Sequence, residues 1–305
     1  MRNAFAKKIT SLAKKNKKII LLSGDIGNRL FDDFKKNHSE RFYNCGIAEQ
    51  NMVGVAAGLA IEGYLPVLYT ITPFLTSRAF EQIRLDICYP NLNVLIVGTG
   101  AGLSYSRLGP THHSLEDLGL MQSLPNLDIF CPGDNIELEK ILPKLFKFKR
   151  PCYLRLGKKG EPIVNNKNKI INFSKPNIIN KSGKIAILTI GNTLSIGKEV
   201  QNKLQANKVK SSLISVHTFK PFRLNIYKQL LKKFNLICII EEHYFQGGLA
   251  QKIKSNYDNL NIKNKKIINF SVPFKFHSGL GEQREARNIV NLNAKKICQK
   301  ILKKK

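Results

Sequence analysis

The amino-acid sequence predicts an α/β protein made of two doubly wound α/β domains. Three observations predict it. Short apolar runs alternate with segments of helical period along most of the chain. The runs are apolar at successive positions, the pattern of parallel strands covered on both faces. A polar stretch rich in Asn and Lys breaks the alternation near the middle, and 305 residues suffice for two domains at about 150 residues each.

In chain order, Asn3–Lys15 sets Phe5, Ile9 and Leu12 at helical spacing, and KKIILLSGD reads as a buried strand ending in a Gly-Asp turn. Residues 47–61 (IAEQNMVGVAAGLAI) form a helix in which Gly54, Ala57 and Gly58 permit close backbone approach. LPVLYTI is a strand, Thr76–Asp86 a helix, and LNVLIVGTG a strand ending in glycines. Helices over Glu116–Leu124 and Glu137–Phe146 flank the strand NLDIFCP, and PCYLRLG closes a domain spanning residues 1–160. Residues 161–183 (EPIVNNKNKIINFSKPNIINKSG) read as a linker or an exposed hairpin. The domain over 184–305 places strands in KIAILTIGN, KSSLISVHTFKPF and LICIIEEH, with helices near 195–206, near 225–234 and opening at GGLAQKI.

Fifty Lys+Arg against 21 Asp+Glu give a net charge of +29, which raises polyanion binding as a function. The distribution argues against it. Residues 1–159 carry 22 basic and 14 acidic side chains, whereas residues 160–305 carry 28 and 7, and no lysine occurs from Asn37 to Glu139. The surplus lies in strings such as VNNKNKIINF and NIKNKKIINF, a solvated, compositionally biased surface. Aromatic residues are not interleaved with it, and no zinc-finger or RNP-like motif occurs, so no nucleic-acid partner is expected. Six cysteines, mostly in apolar runs and without CxxC, fit reduced thiols in a cytoplasmic protein. Apolar runs such as Ile19–Leu22 are too short to span a bilayer or to form a signal-peptide core, so neither a membrane partner nor export is expected.

Nucleotide fingerprints do not account for the glycines: GTGAGLS lacks GxGxxG, and GxxxxGK[ST] is absent. Other strings are more specific. RFYNCGIAEQNMVGVAAGLA, TPFLTSRAFEQIR and GPTHHSLEDLGLMQSLPNLDIFCPGD closely resemble the pyrimidine-binding domain of the transketolase family, and IGN, VHTFKPF and EEHYFQGGLA resemble that family's C-terminal domain. The resemblance runs from about residue 3 to about residue 300. The GDG motif of the family's diphosphate- and metal-binding domain does not occur. The resemblance therefore implies the C-terminal subunit of a split transketolase. A separate N-terminal subunit would bind the diphosphate of thiamine diphosphate and its Mg2+ or Ca2+, with no metal site in this chain. It also implies self-association of this subunit, a heterotetramer, and inactivity alone.

Glu49, in GIAEQ, matches the family's catalytic glutamate. Thiamine chemistry needs a carboxyl group hydrogen-bonded to the aminopyrimidine N1′, favouring the imino tautomer whose nitrogen takes the thiazolium proton. Flanking Ile47, Ala48 and Met52 would hold the carboxyl proton more tightly. Phe74 matches the aromatic ring packed against the pyrimidine. Asp25 matches a position near the cofactor, with helix capping as the alternative. Arg78 is placed near the cofactor too, although it and Gln82 on the same helix have bridging of subunits as the alternative. His112, in GPTHH, matches the substrate-facing histidine that shuttles protons or stabilises a developing alkoxide. His113 stands beside it as a further substrate contact, and Lys158 with Arg155 as a substrate phosphate site. The sequence departs from the sugar-phosphate enzymes at Leu108, where an acidic residue is expected, and at Gly100, where a histidine is expected. Glu242, His243, Gly247 and Gly248 read as packing and interface residues, and His217 and His277 as structural.

The expected reaction is transfer of a two-carbon ketol unit from a ketose to an aldose or related aldehyde, with sugar or sugar-phosphate substrates. The β subunit of a 2-oxo acid dehydrogenase and a deoxyxylulose-phosphate synthase-like enzyme are the enzymatic alternatives. A degenerate half acting as a binding module is the non-enzymatic one.

Overall fold

Two sheets organise the chain in the computed structural model, which describes residues 1–305 except 28, 159 and 305. The strands, in chain order, are β1 (Ile19–Ser23), β2 (Phe42–Asn44), β3 (Leu65–Ile71), β4 (Leu95–Thr99), β5 (Asp128–Phe130), β6 (Cys152–Leu156), β7 (Asn177–Asn180), β8 (Ile185–Thr189), β9 (Ser211–Ser215), β10 (Thr218–Lys220), β11 (Leu236–Tyr244) and β12 (Lys266–Val272). The first sheet has the order β10-β5-β6-β4-β3-β1-β2 and the second β12-β11-β8-β9-β7. Both are parallel except at one edge each, where β10 runs antiparallel to β5 and β7 antiparallel to β9.

The central strands are buried at every position because helices cover both faces. On one face of the first sheet, helix Arg2–Lys15 packs Phe5 and Ile9 with Phe34, Leu138 and Leu142. On the other, Met52, Val53 and Ile83 join a core that continues through Leu118 and Cys131 to Leu188, Phe219 and Leu249 of the second half. The two sheets thus share one apolar core across their junction. Among the described residues, no helix is long and apolar enough to cross a membrane.

Four local features differ from the expectations. The segment 161–183 contains β7, which finishes the second sheet because Ile178 and its neighbours pair with β9. The single strand read in KSSLISVHTFKPF is two: β9 stays in the second sheet, whereas β10 crosses to the edge of the first. The helix expected over Thr76–Asp86 is broken. Pro73 opens a short helix at Thr72–Thr76, the chain turns, and a second short helix at Phe80–Gln82 runs into a π-turn at Ile83–Cys88. Pro73 favours a helix start because its missing N–H would be unsatisfied there anyway. Helix Asp32–Asn37 and β2, both absent from the sequence reading, complete the first sheet's edge.

Candidate active site at the carboxyl edge of the first sheet

The strand order of the first sheet reverses between β1 and β3. At such a switch point the connections leave in opposite directions, which opens a crevice beyond the carboxyl ends of the strands. Of the residues singled out by sequence, Glu49, Arg78, Phe74, His112 and Lys158 lie around that crevice. β1 ends at Ser23-Gly24-Asp25, where the Asp25 N–H donates to the Gly46 carbonyl at 3.1 Å and the Cys45 N–H to that of Ser23 at 2.8 Å. These bonds hold the loop that delivers Glu49 as the first residue of helix Glu49–Ile61.

Glu49 is 3% exposed. Its Oε1 accepts from the Thr70 hydroxyl at 3.2 Å and its Oε2 from Arg78 Nη1 at 2.6 Å. Gly24 lies opposite, where an added Cβ would come within 2.8 Å of Thr70 Oγ1 and 3.4 Å of Glu49 Oε1. The Arg78 guanidinium lies 4.5 Å from the Phe74 ring centroid, and Phe74 meets His112 edge to face at 5.0 Å. His112 in turn lies 6.2 Å from Tyr105, over which Lys158 Nζ sits at 4.5 Å. Glu49, Arg78, Phe74, His112, Tyr105 and Lys158 therefore form one continuous line. Asp25 accepts from Asn44 Nδ2 at 3.0 Å and also lines a cavity of about 800 Å³ with Arg2, Lys7 and Arg29.

His112 is half-buried, and burial together with neighbouring His113 lowers its pKa, so the ring is neutral near pH 7. Its Nδ1 pairs with the Thr111 hydroxyl at 2.9 Å, and Nε2 makes no hydrogen bond among the described residues.

Two of the expected substrate contacts lie elsewhere. Arg155 is 1% exposed; its Nε donates to Asp117 Oδ2 at 2.7 Å and its Nη2 to the Ser114 and Glu242 carbonyls. Tyr153 donates to the same carboxylate at 2.8 Å. Burial disfavours the Asp117 carboxylate, but the charge and hydrogen bonds of Arg155, with the Tyr153 hydroxyl, outweigh that and keep its pKa low. Alternation along β6 carries Arg155 into the junction between the sheets, because residues two apart share a face and Tyr153 and Arg155 both point inward. His113 is also buried, with Nε2 on the Ser106 carbonyl at 3.1 Å. Adjacent residues in the GPTHH turn thus face opposite ways, and only His112 faces the crevice.

Sequence reasoning missed Tyr105 and Thr70. Tyr105 carries a signal in retrospect: Gly100 has φ +84°, and a Cβ there would lie 2.2 Å from the Tyr105 ring, so the tyrosine fills the space a side chain at 100 would take. Thr70 is one apolar-strand residue among seven and has no such signal. Glu242, His243, Gly247 and Gly248 sit at the junction. Gly247 packs against Gly119, where a Cβ at 247 would come within 2.4 Å of the Gly119 Cα.

The transketolase pyrimidine-binding domain matches residues 1–161, and the transketolase C-terminal domain matches residues 174–296. One of the subunits of the apulose-4-phosphate transketolase of Actinobacillus succinogenes is 34% identical over 220 residues, covering 72% of this chain and 71% of that protein. The 1-deoxy-D-xylulose-5-phosphate synthase of Dictyoglomus turgidum is 34% identical over 271 residues, 88% of this chain but 43% of the synthase. A solved structure described as a split gene transketolase, inactive beta4 tetramer, superposes with a TM-score of 0.86 at 29% identity, covering 99% of this chain and 96% of the other. With the pyrimidine-binding and C-terminal domains joined in one polypeptide, this chain belongs to the transketolase family.

Proposed function

We propose that this chain is the C-terminal subunit of a two-subunit, thiamine-diphosphate-dependent transketolase that moves a two-carbon ketol unit from a ketose to an aldose or related aldehyde. The observation that carries the reading is the line from Glu49 through Phe74 to His112 at a topological switch point. The residues present fit an aminopyrimidine. A buried carboxyl group lies beside a glycine whose added Cβ would crowd it, and an aromatic ring lies beyond the Arg78 guanidinium that pairs with it. The chemistry thiamine diphosphate supplies when bound is a carbanion at its thiazolium ring.

Glu49 holds the proton at the aminopyrimidine N1′, with Thr70 fixing the carboxyl group from behind. Phe74 gives a rigid face to the ring. His112 reaches the substrate through Nε2 and, being neutral, either gives or takes a proton at the sugar hydroxyls. Lys158 stands at the far end as the contact for an anionic substrate group. The diphosphate and its Mg2+ or Ca2+ belong to an N-terminal partner subunit, in keeping with the description of the split-gene neighbour as an inactive beta4 tetramer. Exposed Gly54 and Gly58, with Val55 and Ile61, form the helix face for self-association; a Cβ at either glycine would meet nothing within 4 Å.

The test is Glu49→Ala in the complex reconstituted with the partner chain. Ketol transfer falls by about a thousandfold while the complex still assembles, the order expected for loss of a proton-transfer group. Full residual activity overturns the assignment. The similarity to deoxyxylulose-phosphate synthase supports a second reading with pyruvate as donor. Turnover of pyruvate but no ketose by the wild-type complex would establish that reading instead.

A further inference from the structure

We propose that Arg78 and the aminopyrimidine ring compete for one place, so that the guanidinium is a built-in stand-in which swings out when the cofactor enters. The inference rests on the proposed function, since Glu49 and Phe74 are there the two side chains that receive the ring. Both are engaged by Arg78. Its Nη1 donates to Glu49 Oε2 at 2.6 Å, and its guanidinium carbon lies 4.5 Å from the Phe74 centroid. A guanidinium is flat, delocalised and donor-rich, and it stacks on aromatic faces while bonding a carboxylate in its own plane. A flat nitrogen heterocycle makes the same pair of contacts: a hydrogen bond at its edge and an aromatic ring against its face.

The surroundings allow the exchange. Arg78 belongs to the turn between the helices Thr72–Thr76 and Phe80–Gln82, and 41% of its side chain is exposed, so it leaves without unpacking the core. Its backbone stays anchored through its N–H on the Pro73 carbonyl at 3.2 Å. Glu49 retains the Thr70 hydroxyl on Oε1 when Arg78 departs, so the carboxyl group keeps its place. Until then the arginine keeps a buried carboxylate paired, which an empty crevice would leave to water or to wrong partners.

The experiment is stopped-flow mixing of thiamine diphosphate and Mg2+ with the preassembled two-subunit complex, following cofactor association by its near-ultraviolet circular dichroism signal. Calorimetry supplies the equilibrium constant. Arg78→Ala raises the association rate about tenfold, equivalent to about 1.4 kcal/mol. Arg78→Lys, which keeps the charge but not the plane, falls between the two. An Arg78→Ala complex that binds no faster, or more weakly, overturns the proposal and makes Arg78 a cofactor ligand or a permanent brace for Glu49. A wild-type complex without saturable cofactor binding overturns the proposed function and this inference together.

Discussion

The backbone N–H of Leu103 donates to Glu242 Oε1 at 2.6 Å, and this bond ties the loop that carries Tyr105 and His112 to the end of β11 in the second sheet. Glu242 is fully buried and also receives Asn192 at 3.2 Å, Gln283 at 2.8 Å and Arg287. The clamp continues outward: Gln283 donates to Ser104 Oγ at 3.2 Å, and Ser106 Oγ donates to the Gly281 carbonyl at 2.8 Å. Gly102, with φ +66°, is needed beneath it, because a Cβ there would come within 2.5 Å of Glu242 Oε1. The second half of the chain thus shapes the wall of a candidate site whose other residues lie in the first.

Removing that clamp gives one prediction. Glu242→Ala leaves Arg287 and the Leu103 N–H without their acceptor and costs about 3–5 kcal/mol of stability. In variants that remain folded, the loosened His112 loop raises KM for the substrate more than it lowers kcat. Glu242→Gln keeps an acceptor for Leu103 and costs less. Chemical denaturation with steady-state kinetics on the reconstituted complex measures both; a Glu242→Ala protein that unfolds at the wild-type denaturant midpoint contradicts the clamp.

Lys158 and Arg155, three residues apart, are expected to fail in opposite ways. Lys158→Ala raises KM for a phosphorylated substrate by about tenfold, with little change in melting temperature. Arg155→Met strands the buried Asp117 carboxylate and costs about 3–5 kcal/mol, with no selective effect on phosphorylated substrates. Equal KM effects in both variants would return Arg155 to the substrate.

Two buried histidines set the acid limit of the fold. Burial pushes the pKa of His243 down to about 4, and its geometry matches the neutral ring: Nε2 accepts the Leu118 N–H at 3.2 Å while Nδ1 donates to the Tyr244 carbonyl at 2.7 Å. Burial pushes that of His217 down to about 4 as well; its Nδ1 meets the Thr218 hydroxyl at 3.0 Å and its Nε2 makes no hydrogen bond among the described residues. A depressed folded-state value means the stabilisation is complete above the unfolded-state value of 6.5 and is lost as pH falls toward 4. Each histidine accounts for a loss of about 3 kcal/mol across that window. Melting curves between pH 7 and pH 4 should show the decline, and His217→Phe should make it shallower; an unchanged slope would mean that His217 does not titrate there.

The fold was largely legible in the sequence, because parallel strands covered on both faces are apolar at every position and announce themselves without neighbours. Glu49, Phe74 and His112, each picked from a contiguous string, GIAEQ, TPF or GPTHH, are brought to one crevice. The strands β7 and β10 were not legible: each is an edge strand of three or four residues, defined by the strand it pairs with rather than by its own pattern. The broken helix after Pro73 escaped for a related reason, as a π-turn leaves the helical spacing of apolar residues nearly intact.

The sequence alone therefore determined the class of fold, the order of the two domains and the family to which the chain belongs. The tertiary structure decided which charged side chains face the crevice. Arg155 and Lys158 look alike in the chain, and so do His112 and His113, but Arg155 lies on β6 and is held at the junction by the Asp117 carboxylate, Lys158 follows the end of that strand, and the GPTHH turn sends His113 inward to the Ser106 carbonyl and leaves His112 at the edge. It also decided what Arg78 touches, because the partners of a charged group are set by the elements that converge on it, and Glu49 lies 29 residues away along the chain.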